Sequence, residues 1–337
     1  EYLESGERDP EEIAFMEPQA GGACRAGNIY NLLQRVLYRM VEQGQLEYAQ
    51  IPVISLNLMG EEKHTGFRIT PSLLSGGIAA GCYGDLIMCL YQQVKPYEQN
   101  PGETDRIRSQ VEKKLCESIR RHRNGRHTRE KNYRYACEVF SKVPVKPGKK
   151  KRVGITGEIY MKYSKLGNDD IESFLLRQGM EPYSGGFVNY CLYLVDTERY
   201  KAEKYQHNPV MAKACAFVLH RLCEAQKHLL TVIGETDRFQ TDLPFPELKE
   251  KVQGILAEGC NTGDGWLIAA EVIQYVEKGC GSVLILHPFG CLVSHVCERG
   301  ILQRLHARFP DVSIQTIEYD YDQSKTLRES RILLAIS

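Results

Sequence analysis

The stretch Ser282-Val283-Leu284-Ile285-Leu286 is short, apolar and rich in branched side chains. Such a run needs cover on both faces, which is the condition of a strand inside a parallel sheet. His287-Pro288-Phe289-Gly290-Cys291-Leu292-Val293-Ser294-His295 follows it. Leu292, Val296, Leu302, Leu305 and Phe309 then recur at helical spacing until Pro310, and Val312-Ser313-Ile314-Gln315-Thr316-Ile317 reads as the next strand. Strand, helix, strand makes the chain α/β. It also sets Cys291 in a strand-to-helix loop at the carboxyl edge of the sheet, where open α/β sheets bind ligands. The dipole of a following helix favours the thiolate form of such a cysteine. Buried cysteines are nonetheless commonly inert packing residues, so position alone leaves both roles open.

The same order recurs near the start. Ile13-Ala14-Phe15-Met16 is a short apolar strand, and residues 17–28 form a Gly-rich loop holding Gly21, Gly22 and Cys24. A helix follows with Ile29, Leu32, Leu33, Val36, Leu37, Met40 and Val41 on one face and Gly44 as its C-cap, and residues 51–58 read as another buried strand. Gly21-Gly22 permits close backbone approach to a ligand or, more plainly, a tight turn. The phosphate-loop pattern GxxxxGK[ST] is not there. Two cysteines in equivalent places on two α/β units can converge on one cleft.

Between and beyond these units the signals are weaker. Leu86 to Val94 reads as an apolar helix, with Cys82 and Cys89 as packing residues and Asp85 as an N-cap. Residues 120–152 are strongly basic; the run reads as a solvated helix face plus a linker rather than as a phosphate or nucleic-acid site, since no aromatic platform is interleaved. Val153-Gly154-Ile155-Thr156 opens a further strand, and Glu158 at its carboxyl end either bonds a ligand or binds backbone amides. Residues 187–258 read as mainly helical, with Cys191, Cys215 and Cys223 in apolar stretches. Asn261-Thr262-Gly263-Asp264-Gly265-Trp266 enters a helix with Asp264 as its cap and Trp266 as packing; it nears the Cys291 edge only if the chain turns back tightly. The expected architecture is two Rossmann-like α/β domains with parallel sheets and an inserted helical region. Residues 1–142 form the first, residues 143–152 a linker and residues 153–337 the second.

Composition narrows the classes. The formal net charge is zero, which gives no whole-molecule attraction to nucleic acid or membrane. No apolar run is seen to approach the roughly 20 residues of a membrane helix, and no signal peptide is visible. The 12 cysteines are scattered without a CxxC pair, so a reduced, cytoplasmic protein is expected, and any metal site must gather distant cysteines.

Taken together, several stretches resemble one family. They are Gly21-Gly22-Ala23-Cys24-Arg25-Ala26, Gly84-Asp85, Pro96-Tyr97-Glu98, residues 153–158, Gly263-Asp264-Gly265-Trp266, Pro288-Phe289-Gly290-Cys291-Leu292 and Asp320-Tyr321-Asp322, in that order. The chain is similar to 2-hydroxyacyl-CoA dehydratase component proteins, in the branch related to acyl-CoA dehydratase activases and double-cubane cluster proteins. The resemblance implies an iron–sulfur cluster of the 4Fe–4S type, with the double-cubane form as a variant. Cys24 and Cys291 match two of its ligand positions. Gly21, Gly22, Glu158, Asp264 and His295 fall in the matching motifs and are the expected cofactor-binding residues. No catalytic residue is assigned.

An ATP-hydrolysing activase is the implied electron donor, an acyl-CoA or other small molecule the implied substrate, and a dimer the expected assembly. No nucleotide is expected in this chain. The implied activity is that of a dehydratase-like lyase or a cluster-dependent reductase component. The family's third ligand is expected in an Asp-x-Cys-Tyr-Pro-like stretch before Cys24, which the 23 residues there do not contain. A second reading therefore stands beside the first: a non-catalytic partner-docking domain with an incomplete cluster site.

Overall fold

A computed structural model describes residues 13–18, 24–44, 51–56 and 70–337. The chain divides into two compact units, Glu1–Ile69 and Thr70–Ser337. In the first, strand β1 (Phe15–Pro18) pairs in parallel with β2 (Val53–Leu56), and helix α1 (Ile29–Glu42) connects them. Gly44 follows α1 with φ of 67°, as its C-cap reading requires. Leu33, Leu37, Met40 and Val41 on the expected apolar face are half-buried, whereas Leu32 and Val36 are exposed.

The second unit begins with four helices or helical pieces and then builds its sheet. The long helix α2 (Pro71–Val94) is followed by α3 (Glu103–Arg120) and α4 (Arg126–Ser141). Strand β3 (Arg152–Gly157) leads through the short helices α5 (Ile159–Tyr163) and α6 (Ile171–Arg177) to β4 (Glu181–Tyr183). Helices α7 (Phe187–Lys204), α8 (Pro209–Gly234), α9 (Phe245–Lys251) and α10 (Gly265–Glu277) come before β5 (Ser282–Pro288). Then α11 (Leu302–Arg308), β6 (Ser313–Tyr319) and α12 (Lys325–Ile336) close the chain.

The four strands run parallel in the order β4-β3-β5-β6. The strands are buried on both sides because alternate residues face two helical layers. Val153, Ile155, Leu284, Leu286, Ile317 and Tyr319 pack with α5, α6 and α12. Val283, Ile285 and Ile314 face the larger core, which includes Trp266, Ile273 and Tyr275 of α10. The architecture is α/β, with one four-stranded parallel sheet in the second unit.

Two expectations change here. The apolar helix read as starting near Leu86 starts at Pro71, capped by the Thr70 side chain on the Leu73 amide at 3.1 Å. Gly76, Gly77, Gly81 and Gly84 interrupt its periodicity, which hid its length. The segment Ser72–Tyr97 is long and apolar enough to cross a membrane by length and composition, contrary to the sequence reading. Ala79, Cys82, Leu86, Leu90 and Val94 on it are buried in the core.

The second change concerns residues 143–152, which lie inside the second unit. Lys146 N–H donates to Tyr97 O at 2.7 Å, Gln99 N–H to Pro144 O at 3.0 Å, and Arg238 Nη2 to Val143 O at 3.0 Å. Residues 70–142 share the core of the sheet, since Tyr133 and Phe140 of α4 join the cluster that contains Val283 and Ile285.

Candidate functional site

The sheet order creates a switch point. From β3 the chain leaves toward the face of Met161 and Leu175; from β5 it leaves toward the opposite face, where Ile301 and Leu305 pack. The crevice between two such neighbouring strands, at their carboxyl ends, is where open α/β sheets receive ligands. Gly157 and Glu158 end β3 there, and His287 to Cys291 end β5. Gly157 has φ of 132°, and a Cβ on it would lie 2.0 Å from Leu286 O. No other residue fits without moving β5.

The crevice floor is acidic. Glu271 is buried in the middle of α10, where one carboxylate oxygen accepts from Lys162 Nζ at 2.7 Å and the other from Thr156 Oγ1 at 2.5 Å. Asp264 is buried at the start of α10, beside the Ile159 amide. Its side chain does not cap α10 as its position suggested. Burial, with the charges of Glu158, Glu298 and Glu271, pushes its carboxyl well above the usual range.

Glu298 is fully buried, accepts from Ser294 Oγ at 2.8 Å on one oxygen, and has no partner on the other. Burial pushes it up to about 8. Glu158 uses its carboxylate as a backbone anchor, accepting from the Tyr160 and Met161 amides at 3.1 Å each, which is the structural one of its two readings. Burial raises it, against those amides. A small cavity opens among Gly157, Ile159, Lys162, Tyr163, Asp264 and Glu271.

Cys291 lies half-buried in the loop above this floor. The helix expected directly after it is irregular: Ser294–Glu298 is a π-helical turn and Arg299–Ile301 a 3-10 turn before α11 begins. Irregular turns of this kind recur at functional sites. The dipole argument fails accordingly. Burial raises the Cys291 thiol, with Ser294 opposing and the charges of Glu298 and Glu158 adding to the rise. Phe289, Leu292 and Val296, close to Cys291 in sequence, are exposed apolar residues. His295 is half-exposed, 5.6 Å from the His287 ring, with Nε2 4.0 Å from Glu318. Burial, then the Arg299 charge, pushes fully buried His287 down, so it is neutral.

The structure thus brings Glu158, Asp264, Cys291 and His295 to one sheet edge. Asp264 arrives because α10 runs back along β5, so that a Cβ on Gly263 would lie 2.6 Å from Val293 Cγ2. Cys24 is exposed in the first unit, between β1 and α1, in the strand–loop–helix setting expected of it. Gly21 and Gly22 lie outside the described residues. Trp266 is packing, edge-on to Tyr193. Asp85 caps a helix other than its own: its carboxylate accepts from Phe187 N at 2.7 Å and Val188 N at 2.9 Å, fixing the start of α7. Burial pushes it up to about 7, against those amides.

Sequence reasoning missed Thr156, Lys162, Glu271 and Glu298. Glu271 carried a usable signal, a single acid inside the otherwise apolar run Trp266–Val276, interrupted only by Gln274. Lys162 and Glu298 stand in mixed sequence, and only the fold reveals their burial.

Comparison with family models, with curated proteins and with solved structures gives no match. Among the described residues, no three His, Cys, Asp or Glu side chains are grouped to hold a metal ion. The switch-point loop alone therefore does not supply a cluster's ligand set.

Proposed function

We propose that this chain is the iron–sulfur component of an ATP-driven low-potential reductase or 2-hydroxyacyl-CoA dehydratase-like system. In this reading the loops of Cys24 and Cys291 belong to two Rossmann-like domains, the first built around the β1-α1-β2 unit, and both thiolates are cluster ligands. The observation that supports it is the position of Cys291 at the switch point of a parallel sheet, beside a floor of buried carboxyls of which Glu271 is paired with Lys162. When bound, the cluster would supply low-potential electrons and an open iron site.

The chain's own residues do the rest. Cys291 gives up its proton on binding metal. The Lys162–Glu271 pair fixes the crevice floor. An activase docks as a separate chain or as a further part of the polypeptide, and an acyl-CoA is the substrate class.

A second reading is favoured by a specific observation: among the described residues no three-donor group exists. The chain would then be a partner-docking part of an activase-like protein with an incomplete site.

Iron and acid-labile sulfide analysis of anaerobically prepared protein separates the two. The first reading expects a broad iron–sulfur absorption that Cys291→Ser abolishes and Cys215→Ser keeps, serine being a harder ligand of similar size. If neither this chain nor a longer natural polypeptide binds iron after anaerobic reconstitution, the cluster reading falls and the docking reading replaces it.

A further inference from the structure

The turn between α3 and α4 carries more positive charge than the second unit pairs with carboxylates. Residues 120–129 contain five arginines, two histidines and no acid. Arg121 is held by Glu117 at 2.5 Å. Glu130, the next acid along α4, is occupied by Arg134 at 3.0 Å and His228 at 3.4 Å. Arg129 turns inward, toward Cys82 and Tyr133. Arg120, Arg123 and Arg126 are exposed and, among the described residues, meet no carboxylate. The other half of the basic run behaves differently: Arg152 sits on Glu181 at 2.7 Å, and Lys151 Nζ donates to Ile336 O at 2.7 Å.

The turn is also rigid. Arg123 N–H donates to Ser118 O at 3.0 Å, and Ser118 Oγ donates to Arg123 O at 3.0 Å. Buried Asn132 Nδ2 donates in turn to Ser118 Oγ at 3.1 Å and to Tyr83 Oη at 2.7 Å. His122 Nδ1 lies 3.2 Å from Ser72 Oγ, so the start of α2 abuts the same turn. The 16-residue helix α4 begins at Gly125, which has no side chain to cap its first amides, and its first turn holds no acid. From α2, residues 70–84 bring no acid either. The start of α4, the start of α2 and three arginines that meet no carboxylate among the described residues therefore belong to one fixed turn region.

We propose that this turn is a binding site for linked phosphoryl groups, a polyphosphate chain on a soluble ligand. Guanidiniums bind phosphate oxygens through paired N–H donors, and free helix amides add donors of the same polarity. Three cations call for a multiply charged anion rather than a single carboxylate. No aromatic residue lies in residues 117–131 to stack bases, which disfavours single-stranded nucleic acid. The proposal is independent of the cluster reading.

Inorganic tripolyphosphate titrated calorimetrically into the whole chain tests it. The expected result is one saturable site, weakened at least about ten-fold in the Arg120→Gln/Arg123→Gln/Arg126→Gln variant. The charge-matched Lys146→Gln/Lys149→Gln/Lys150→Gln variant should keep its affinity. Far-UV circular dichroism and the urea midpoint of both variants should match the parent. Absence of saturable binding, or equal loss in both variants, overturns the proposal. So does binding to phosphatidylserine vesicles or duplex DNA without binding to tripolyphosphate.

Discussion

At the carboxyl edge of the sheet, Glu158, Asp264, Glu271 and Glu298 crowd together with Lys162 as the buried cation. At the α3–α4 turn, Arg120, Arg123 and Arg126 crowd together in water. Burial forces the first group to be compensated within the fold: the Asp264 carboxyl is pushed well up, Glu271 is paired with Lys162, and Glu158 accepts backbone amides. Exposure lets the second group stay charged, because solvent screens repulsion between surface charges. Buried charge is thus tied to stability, and exposed charge is left available to a ligand.

The strongest way to break this contrast is to strand the buried pair. Lys162→Met leaves Glu271 buried with only the Thr156 hydroxyl, and should cost about 3–5 kcal/mol of unfolding free energy in urea titrations. Lys162→Met combined with Glu271→Leu should recover most of that loss, since the buried charge is then gone. A double variant as unstable as the single one would mean the pair is not what stabilises the floor.

A somewhat smaller effect is expected from Gly157→Ala. The added methyl meets Leu286 O, and the backbone must leave φ of 132°, so about 2–3 kcal/mol should be lost in the same assay. Unchanged stability would show that β3 and β5 can part at the switch point.

The remaining expectation concerns pH dependence. Glu298 has its folded value raised from 4.5 to about 8, so it binds its proton more tightly folded than unfolded. Its contribution is complete below pH 4.5 and is lost as pH rises through 8. Glu298→Gln should therefore flatten the decline in stability between about pH 5 and 8. An identical slope in both proteins would place the titration elsewhere.

Much of the sheet was legible because its signals are local. The run 282–286 is apolar throughout and can only be a covered strand, and β3, β5 and β6 fall within one or two residues of their expected places. The order of strand, loop and strand placed Cys291 at the carboxyl edge, although the helix expected directly after it is an irregular turn. The length of α2 escaped because four glycines broke its pattern, although burial of Leu86, Leu90 and Val94 holds it as one helix.

What the sequence determined by itself was therefore the α/β class, the parallel strands and the loop that holds Cys291, because backbone pattern and side-chain polarity act over a few residues. The tertiary structure alone decided the chemistry of that edge. Asp264 is buried among carboxylates rather than capping its helix, and Asp85 caps α7 rather than α2. Glu271 lies against a lysine 109 positions away in the chain. Each outcome depends on burial and on partners distant in sequence, and electrostatic free energy is set by distance and dielectric in space, not by spacing along the chain.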